Sequence, residues 1–250
     1  MSNASFLAES SAKATALHAK ASADYATKLA ETQALLQRAA AEFSPLTQAS
    51  SLGAEDVVIT HLINSLQLDI PVFVLETGAL HTETLALLER TEAHSRAPIK
   101  VYHPVRESVI QFVRDKGQDA IYQSIELRKE CCGIRKMEPL ARALTGQRAW
   151  ITGLRQEQSA ARAEVPLQDD SEVASKGLSK FNPLAKWTWG DVWHYIATQG
   201  VDYNPLHDQF FPSIGCAPCT RAISLGEEFR AGRWWWEDEA AKECGLHVKK

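Results

Sequence analysis

The apolar positions of the chain change period near residue 45. Before it, Leu17, Leu29, Leu35, Leu36 and Phe43 fall at loose helical intervals in an alanine-rich background, and Ser44-Pro45 ends the run. After it come short apolar runs, each closing in a loop and followed by a helical segment: "LTQASSLGAEDVVITHLINSL", "IPVFVLETGALHTETLALLERTEA" and "IKVYHPVRESVIQFVRDKG". This alternation predicts repeated βα units, hence a mostly parallel sheet covered by helices, with ligands bound beyond the C-terminal ends of the strands. The residues expected there are Ser51, Gly53, Thr77, Gly78, Gly153 and Arg155. A later strand is read at "RAWITGL", and "TWGDVWHYIATQG" predicts a helix opened by a threonine cap. The polar stretch "VPLQDDSEVASKGLSKFN" predicts an exposed loop or short hairpin, and the Pro-, Gly- and aromatic-rich chain from 201 onward predicts a cap. For the helical N-terminus two readings stand, a contact in a homo-oligomer and a helix packed on its own domain; the second is the expectation.

Composition narrows the class. The 250 residues, 45% hydrophobic and 23% charged, suffice for one main domain with a well-buried core. A net charge of -4 argues against a dedicated nucleic-acid binder, so an anionic ligand has to be held by local Arg and Lys clusters. No apolar run approaches the roughly 18 to 20 residues that span a bilayer, so no membrane partner is expected. "MSNASFLAESSAK" lacks the basic and apolar regions of a secretory signal, and Glu9, Asp24 and Glu31 fit poorly in an acid-poor transit peptide. A cytoplasmic location is the expectation.

The first loop, "SSLGAED", joins a strand to a helix, where backbone N-H groups can receive an anionic oxygen and Gly53 permits its close approach. It lacks the Gly-Lys-Ser/Thr ending of a Walker A loop. Acids in a first helical turn are common in their own right, so the turn alone does not specify a site. "LETGALH" ends the next strand similarly, and two such loops side by side would form a crevice for a nucleotide's base and ribose; Thr77 and Gly78 are equally compatible with an ordinary turn.

Five cysteines, Cys131, Cys132, Cys216, Cys219 and Cys244, form an odd set that fits a disulfide framework poorly. The adjacent Cys131 and Cys132 suit a [4Fe-4S] cube, whose four irons each take one thiolate, better than a zinc ion on which two neighbouring side chains must converge. Zinc and the absence of any metal remain open at this stage. "RKECCGIRK" surrounds the pair with Arg128, Lys129, Arg135 and Lys136, either a solvated helix face or cations offsetting a thiolate-ligated cluster and a nearby anionic substrate.

Taken together, "SLGAED", "LETGALH", "CCGIRKMEPL", "ITGLRQEQSAAR", "NPLAKWTWGDVWHYI", "NPLHDQFFPSIGCAPCT" and "ECGLH" resemble the assimilatory adenylylsulfate (APS) reductases, relatives of the PAPS reductases in the adenine-nucleotide α-hydrolase-like fold. The match runs in order from about Ser50 to His247. The resemblance implies a Rossmann-like α/β fold with helices on both faces of the sheet. It divides the chain into a helical N-terminal extension (1–45), an α/β domain with the iron-sulfur site (46–235) and a mobile C-terminal tail (236–250). It further implies thioredoxin-dependent reduction of APS to sulfite and AMP through an S-sulfocysteine, in sulfate assimilation toward cysteine.

In that scheme Cys244 is the nucleophile, with His247 beside it and Lys136 between cluster and sulfate. Substrate contacts fall on Ser51, Gly53, Glu55, Asp56, Thr77, Gly78, Gly153, Arg155, Arg162, Arg230 and Arg233. One [4Fe-4S] cluster is held by Cys131, Cys132, Cys216 and Cys219, and thioredoxin or a glutaredoxin-like dithiol is the reductant. The sequence departs from the family pattern at Glu76, Thr82, Leu154, Gln156 and Phe210-Phe211, leaving open activity on the 3'-phosphorylated nucleotide PAPS, alone or together with APS. A non-catalytic iron-sulfur nucleotide sensor with Cys244 as a redox switch is the alternative of another class.

Overall fold

The computed structural model describes residues 13–224 and 226–238; Cys244 and His247 lie outside them. Two helices open the described chain, α1 (Ala14–His18) and α2 (Tyr25–Glu42). Three βα units follow: β1 (Leu46–Ser50) and α3 (Ala54–Ser65), β2 (Val72–Leu75) and α4 (Thr82–His94), β3 (Ile99–Tyr102) and α5 (Arg106–Lys116). Next come α6 (Ile125–Cys132), a π-helical turn at Gly133–Met137, α7 (Glu138–Leu144) and β4 (Ala149–Ile151). After these lie β5 (Gln168–Asp169), α8 (Val173–Lys176), β6 (Ser179–Phe181) and α9 (Trp189–Gln199).

The strands form one sheet in the order β3-β2-β1-β4-β6-β5, parallel except for β5, which runs against β6. The connection from β3 returns past β1 to β4, so the strand order reverses between β1 and β4 and opens a crevice at their carboxyl ends.

Pleating sends alternate residues to opposite faces. Val72 and Val74 enter a large core with Val58 and Ile59 of α3, Leu87 of α4 and Trp193 and Ile196 of α9. Phe73 between them packs on the other face against Leu140 and Ala143 of α7 and Trp150 of β4. Each fully buried aliphatic or aromatic side chain contributes about 1.5–3 kcal/mol. The central strand also buries Gln48, whose Nε2 donates to the Asp56 carbonyl (2.9 Å) while its Oε1 accepts from Thr60 Oγ1 (2.9 Å). A satisfied polar side chain thus fixes the start of α3 over the end of β1.

The N-terminal helices share this core through Ala14, Leu36 and Ala39. Thr32 of α2 donates to the Pro183 carbonyl (2.9 Å) and accepts from Trp187 Nε1 (3.0 Å). The helix read at "TWGDVWHYIATQG" is α9: Thr188 Oγ1 accepts from Asp191 N (3.0 Å), the Asp191 carboxylate accepts from Thr188 N (2.9 Å), and Gly200 ends it in a left-handed conformation. The polar stretch before it folds back as the β5–β6 hairpin around α8. The hairpin alternative read for this stretch is the one observed, but its second strand is not exposed: it is buried at Ser179 and Phe181 and pairs with β4.

Candidate functional site

A cavity of about 210 Å³ opens at the crevice between β1 and β4. Strand ends and the loops after them supply its floor: Ser51 and Gly53 after β1, Thr77 after β2, and Thr152 and Gly153 after β4. Gly53 caps α3, so the first-turn acids Glu55 and Asp56 stand at the cavity wall. Lys136 from the π-helical turn, Arg162, and Arg230 and Arg233 from the C-terminal cap bring cations to the same space.

The two acids are held differently. Asp56 accepts from both the amide and the hydroxyl of Ser51 (2.7 Å each). Burial nonetheless outweighs these bonds and pushes its carboxyl up to about 6. Glu55 is engaged from behind by Arg155 Nε (2.8 Å) and Gln158 Nε2 (3.0 Å). Gly153 fits here because it has no side chain: a Cβ would overlap Asp56 Oδ1 and lie 2.8 Å from Glu55 Cβ.

Arg155 occupies a place different from the one read in the sequence. It is fully buried, does not line the cavity, and spends its guanidinium on Glu55, on Glu157 (2.9 Å) and on the Trp187 carbonyl (3.3 Å). It supports the wall from behind. Arg162 does reach the cavity, where its Nη1 donates to Gln158 Oε1 (2.6 Å).

A second cavity, about 240 Å³, adjoins the first. Cys131, Cys132, Cys216 and Cys219 all line it, together with Gly78 and Arg135. Lys136, Arg233 and Trp234 line both cavities. None of the four is in a disulfide, and Ile121, Ala79, Trp234 and Trp236 pack against them. Burial raises the Cys131 thiol and pushes that of Cys219 up to about 11. Cys216 Sγ lies 3.2 Å from Thr77 Oγ1, and Arg135 Nη1 donates to the Thr77 carbonyl (2.6 Å). The loop after β2 therefore touches both spaces.

Among the described residues, no three His, Cys, Asp or Glu side chains converge closely enough to hold a single metal ion. The four cysteines share one chamber. A four-cysteine donor set in an apolar chamber edged by cations is chemically suited to a polynuclear iron-sulfur group.

His207 also lines the first cavity, a position that sequence reasoning missed. Its only signal was membership of the quoted "NPLHDQFFPSIGCAPCT" segment.

The model of the phosphoadenosine phosphosulfate reductase domain matches residues 45–222, from the start of β1 through the Cys216–Cys219 turn. The chain belongs to the phosphoadenosine phosphosulfate reductase family. Among curated members of the family, the adenosine 5'-phosphosulfate reductase of Allochromatium vinosum is 50% identical over 224 residues, covering 90% of this chain and 87% of its own. The crystal structure of phosphoadenylyl-sulfate (PAPS) reductase from Candida auris in a phosphate complex superposes with a TM-score of 0.65 at 27% identity, covering 77% of this chain and 90% of that one. FMN adenylyltransferase from Candida glabrata shares the fold alone, with a TM-score of 0.57 at 13% identity over 94% of this chain and 85% of that one. The α/β architecture is thus that of the family's adenine-nucleotide α-hydrolase-like fold, a mostly parallel sheet with helices.

Proposed function

We propose that this chain reduces adenylyl sulfate to sulfite and AMP, using electrons from a thioredoxin-type dithiol, in sulfate assimilation toward cysteine. One observation carries the reading: Lys136 and Arg233 line both the crevice cavity and the four-cysteine chamber. A nucleotide in the crevice would then present its sulfate to cations at the chamber's edge. The naming of half-identical relatives as adenosine 5'-phosphosulfate reductases supports the same substrate.

In this reading the base and ribose lie along the strand ends, near Ser51, Gly53, Thr77 and Gly153. Lys136, Arg162, Arg230 and Arg233 hold the phosphosulfate and offset the charge that develops on departing AMP. Cys244, as thiolate, attacks the sulfate sulfur. A sulfur–sulfur bond forms, the sulfur–oxygen bond to the phosphate breaks, and AMP leaves with the electron pair. A dithiol thiolate then attacks Cys244 Sγ and sulfite departs with the bonding pair. The second dithiol thiol resolves the mixed disulfide, so the dithiol ends oxidised and Cys244 returns as thiolate. His247, three residues on, favours the thiolate or contacts sulfate oxygens.

Cys131, Cys132, Cys216 and Cys219 would hold the [4Fe-4S] cluster. When bound, it supplies fixed structure and a charge at the chamber wall that Lys136 and Arg135 balance.

The family model and the Candida auris protein both carry the name of the 3'-phosphorylated nucleotide, so a second reading admits PAPS beside APS. Substituting Cys244→Ser tests the core of the proposal. Sulfite formation should disappear while AMP binding and the visible absorbance of the purified protein persist. Sulfite production by the variant would overturn the assignment of Cys244.

A further inference from the structure

His207 sits in the short helical turn Pro205–Gln209, which Asn204 caps by accepting from Leu206 N (3.1 Å). Asn204 is anchored in turn by donating to Thr84 Oγ1 (2.8 Å) at the start of α4. The imidazole packs edge-on against Trp193 (centroids 5.3 Å apart) and Trp189 (6.0 Å). It is 5% exposed and lines the crevice cavity alongside Glu55 and Phe229. Neither ring nitrogen meets a partner at hydrogen-bond geometry among the described residues, although the Phe211 backbone lies near enough to favour the protonated ring.

A purely structural histidine would be expected to bond at least one nitrogen, because an unsatisfied buried polar group costs stability. Aromatic packing alone could be supplied by phenylalanine. Burial also lowers the ring's pKa to about 4, so at neutral pH it is uncharged, one nitrogen a donor and the other an acceptor. The carboxylates of Glu55 and Asp208 act on it to favour the protonated ring, and His18 acts in the opposite direction. The cations of the cavity are Lys136, Arg162, Arg230 and Arg233. A neutral donor-acceptor facing a carboxylate is unsuited to an anion and suited to a hydroxyl.

We propose that His207 is a substrate-contacting residue of the crevice, where its imidazole hydrogen-bonds a sugar hydroxyl of the bound nucleoside. This rests on the reading of the crevice as an adenine-nucleotide site and adds a residue to it. The contact completes a group that no described residue satisfies, so its contribution appears in affinity and opposes stability.

The test is titration of the full chain with adenosine and with AMP, for the wild type, His207→Phe and His207→Asn, alongside thermal unfolding. His207→Phe keeps the packing on Trp189 and Trp193 and removes the orphaned nitrogens. It should bind both ligands about five- to ten-fold more weakly, the order expected for one hydrogen bond, with an unfolding temperature equal to or above that of wild type. His207→Asn restores a donor and an acceptor and should recover part of the affinity, and it answers the question should the phenylalanine variant not fold. Unchanged affinity in the variants would overturn the proposal and leave a core histidine satisfied by buried water. Weakening for AMP but not for adenosine would move the contact to the phosphate and overturn the hydroxyl assignment. A wild type that binds neither ligand would instead sink the nucleotide-site reading on which the inference stands.

Discussion

Arg128 and Glu237 form a bidentate ion pair in the protein interior, Nε to Oε1 at 2.8 Å and Nη2 to Oε2 at 2.6 Å, with side chains 1% and 3% exposed. Arg128 lies on α6, the helix that ends in Cys131 and Cys132, and Glu237 follows Trp234, which the guanidinium faces at 4.6 Å. The pair ties the cysteine-bearing helix to the segment that closes over both cavities. Removing one partner leaves a buried charge unpaired, so Arg128→Met or Glu237→Gln should each destabilise by about 3–5 kcal/mol. Combining Arg128→Met with Glu237→Leu should return much of that loss. Denaturant unfolding of the three variants checks both statements.

Asp191 is a second anchor, joining α9 to the N-terminal helices. It accepts from Ser22 N (2.7 Å), Ser22 Oγ, Thr188 N (2.9 Å) and Lys28 Nζ (3.2 Å). Burial works to raise its pKa, but these bonds together hold it at about 2. A depressed carboxyl stabilises the fold fully above its unfolded value near 4, and that stability is lost as pH falls toward 2. Wild type should therefore lose stability between about pH 4 and 2 relative to Asp191→Asn, by on the order of 2 kcal/mol. Unfolding curves at stepped pH measure it.

Asp56 has the opposite sign. Its folded pKa of about 6 exceeds the unfolded value, so the fold loses stability as pH rises from about 4 to 6 and does not regain it above. Asp56→Asn should stabilise the protein at pH 8 relative to wild type and make little difference at pH 4. A benefit independent of pH would contradict the assignment.

Gly153→Ala forces a Cβ against the Asp56 carboxylate and Glu55 Cβ. Overpacking at the wall should cost about 1–3 kcal/mol and weaken AMP binding more than ten-fold, because the first turn of α3 has to shift. Calorimetric titration and thermal unfolding read the two effects separately.

The βα units were legible from short strand-like segments closed by turns and followed by amphipathic helices, most clearly at the apolar β2, whereas β1 carries the polar Thr47 and Gln48 and β3 carries Lys100. The cap of α9 was legible because Thr188 and Asp191 stand at capping-box spacing. The place of β6 in the main sheet was not: its three residues include Lys180 and end a polar stretch that reads as an exposed loop or hairpin, and pairing with β4 buries them. Arg155 illustrates the limit for sites. Its position in a strand-end loop reads as a substrate contact, whereas its bond to Glu55, 100 residues away in sequence, holds it in the interior. The cysteines carried a signal in their spacing, whereas His207 had only its place in the quoted segment, since its environment is made by Trp189, Trp193 and Glu55 from other elements.

The central claim is that Cys244 takes the sulfonate from the nucleotide before any reductant acts. Mass spectrometry of anaerobically purified protein incubated with APS, and separately with PAPS, in the absence of dithiol reads this directly. The expected result is a sulfonate adduct on Cys244 that thioredoxin releases as sulfite, with the two labelling rates reporting nucleotide preference. Folded protein that binds either nucleotide and is labelled by neither would contradict it.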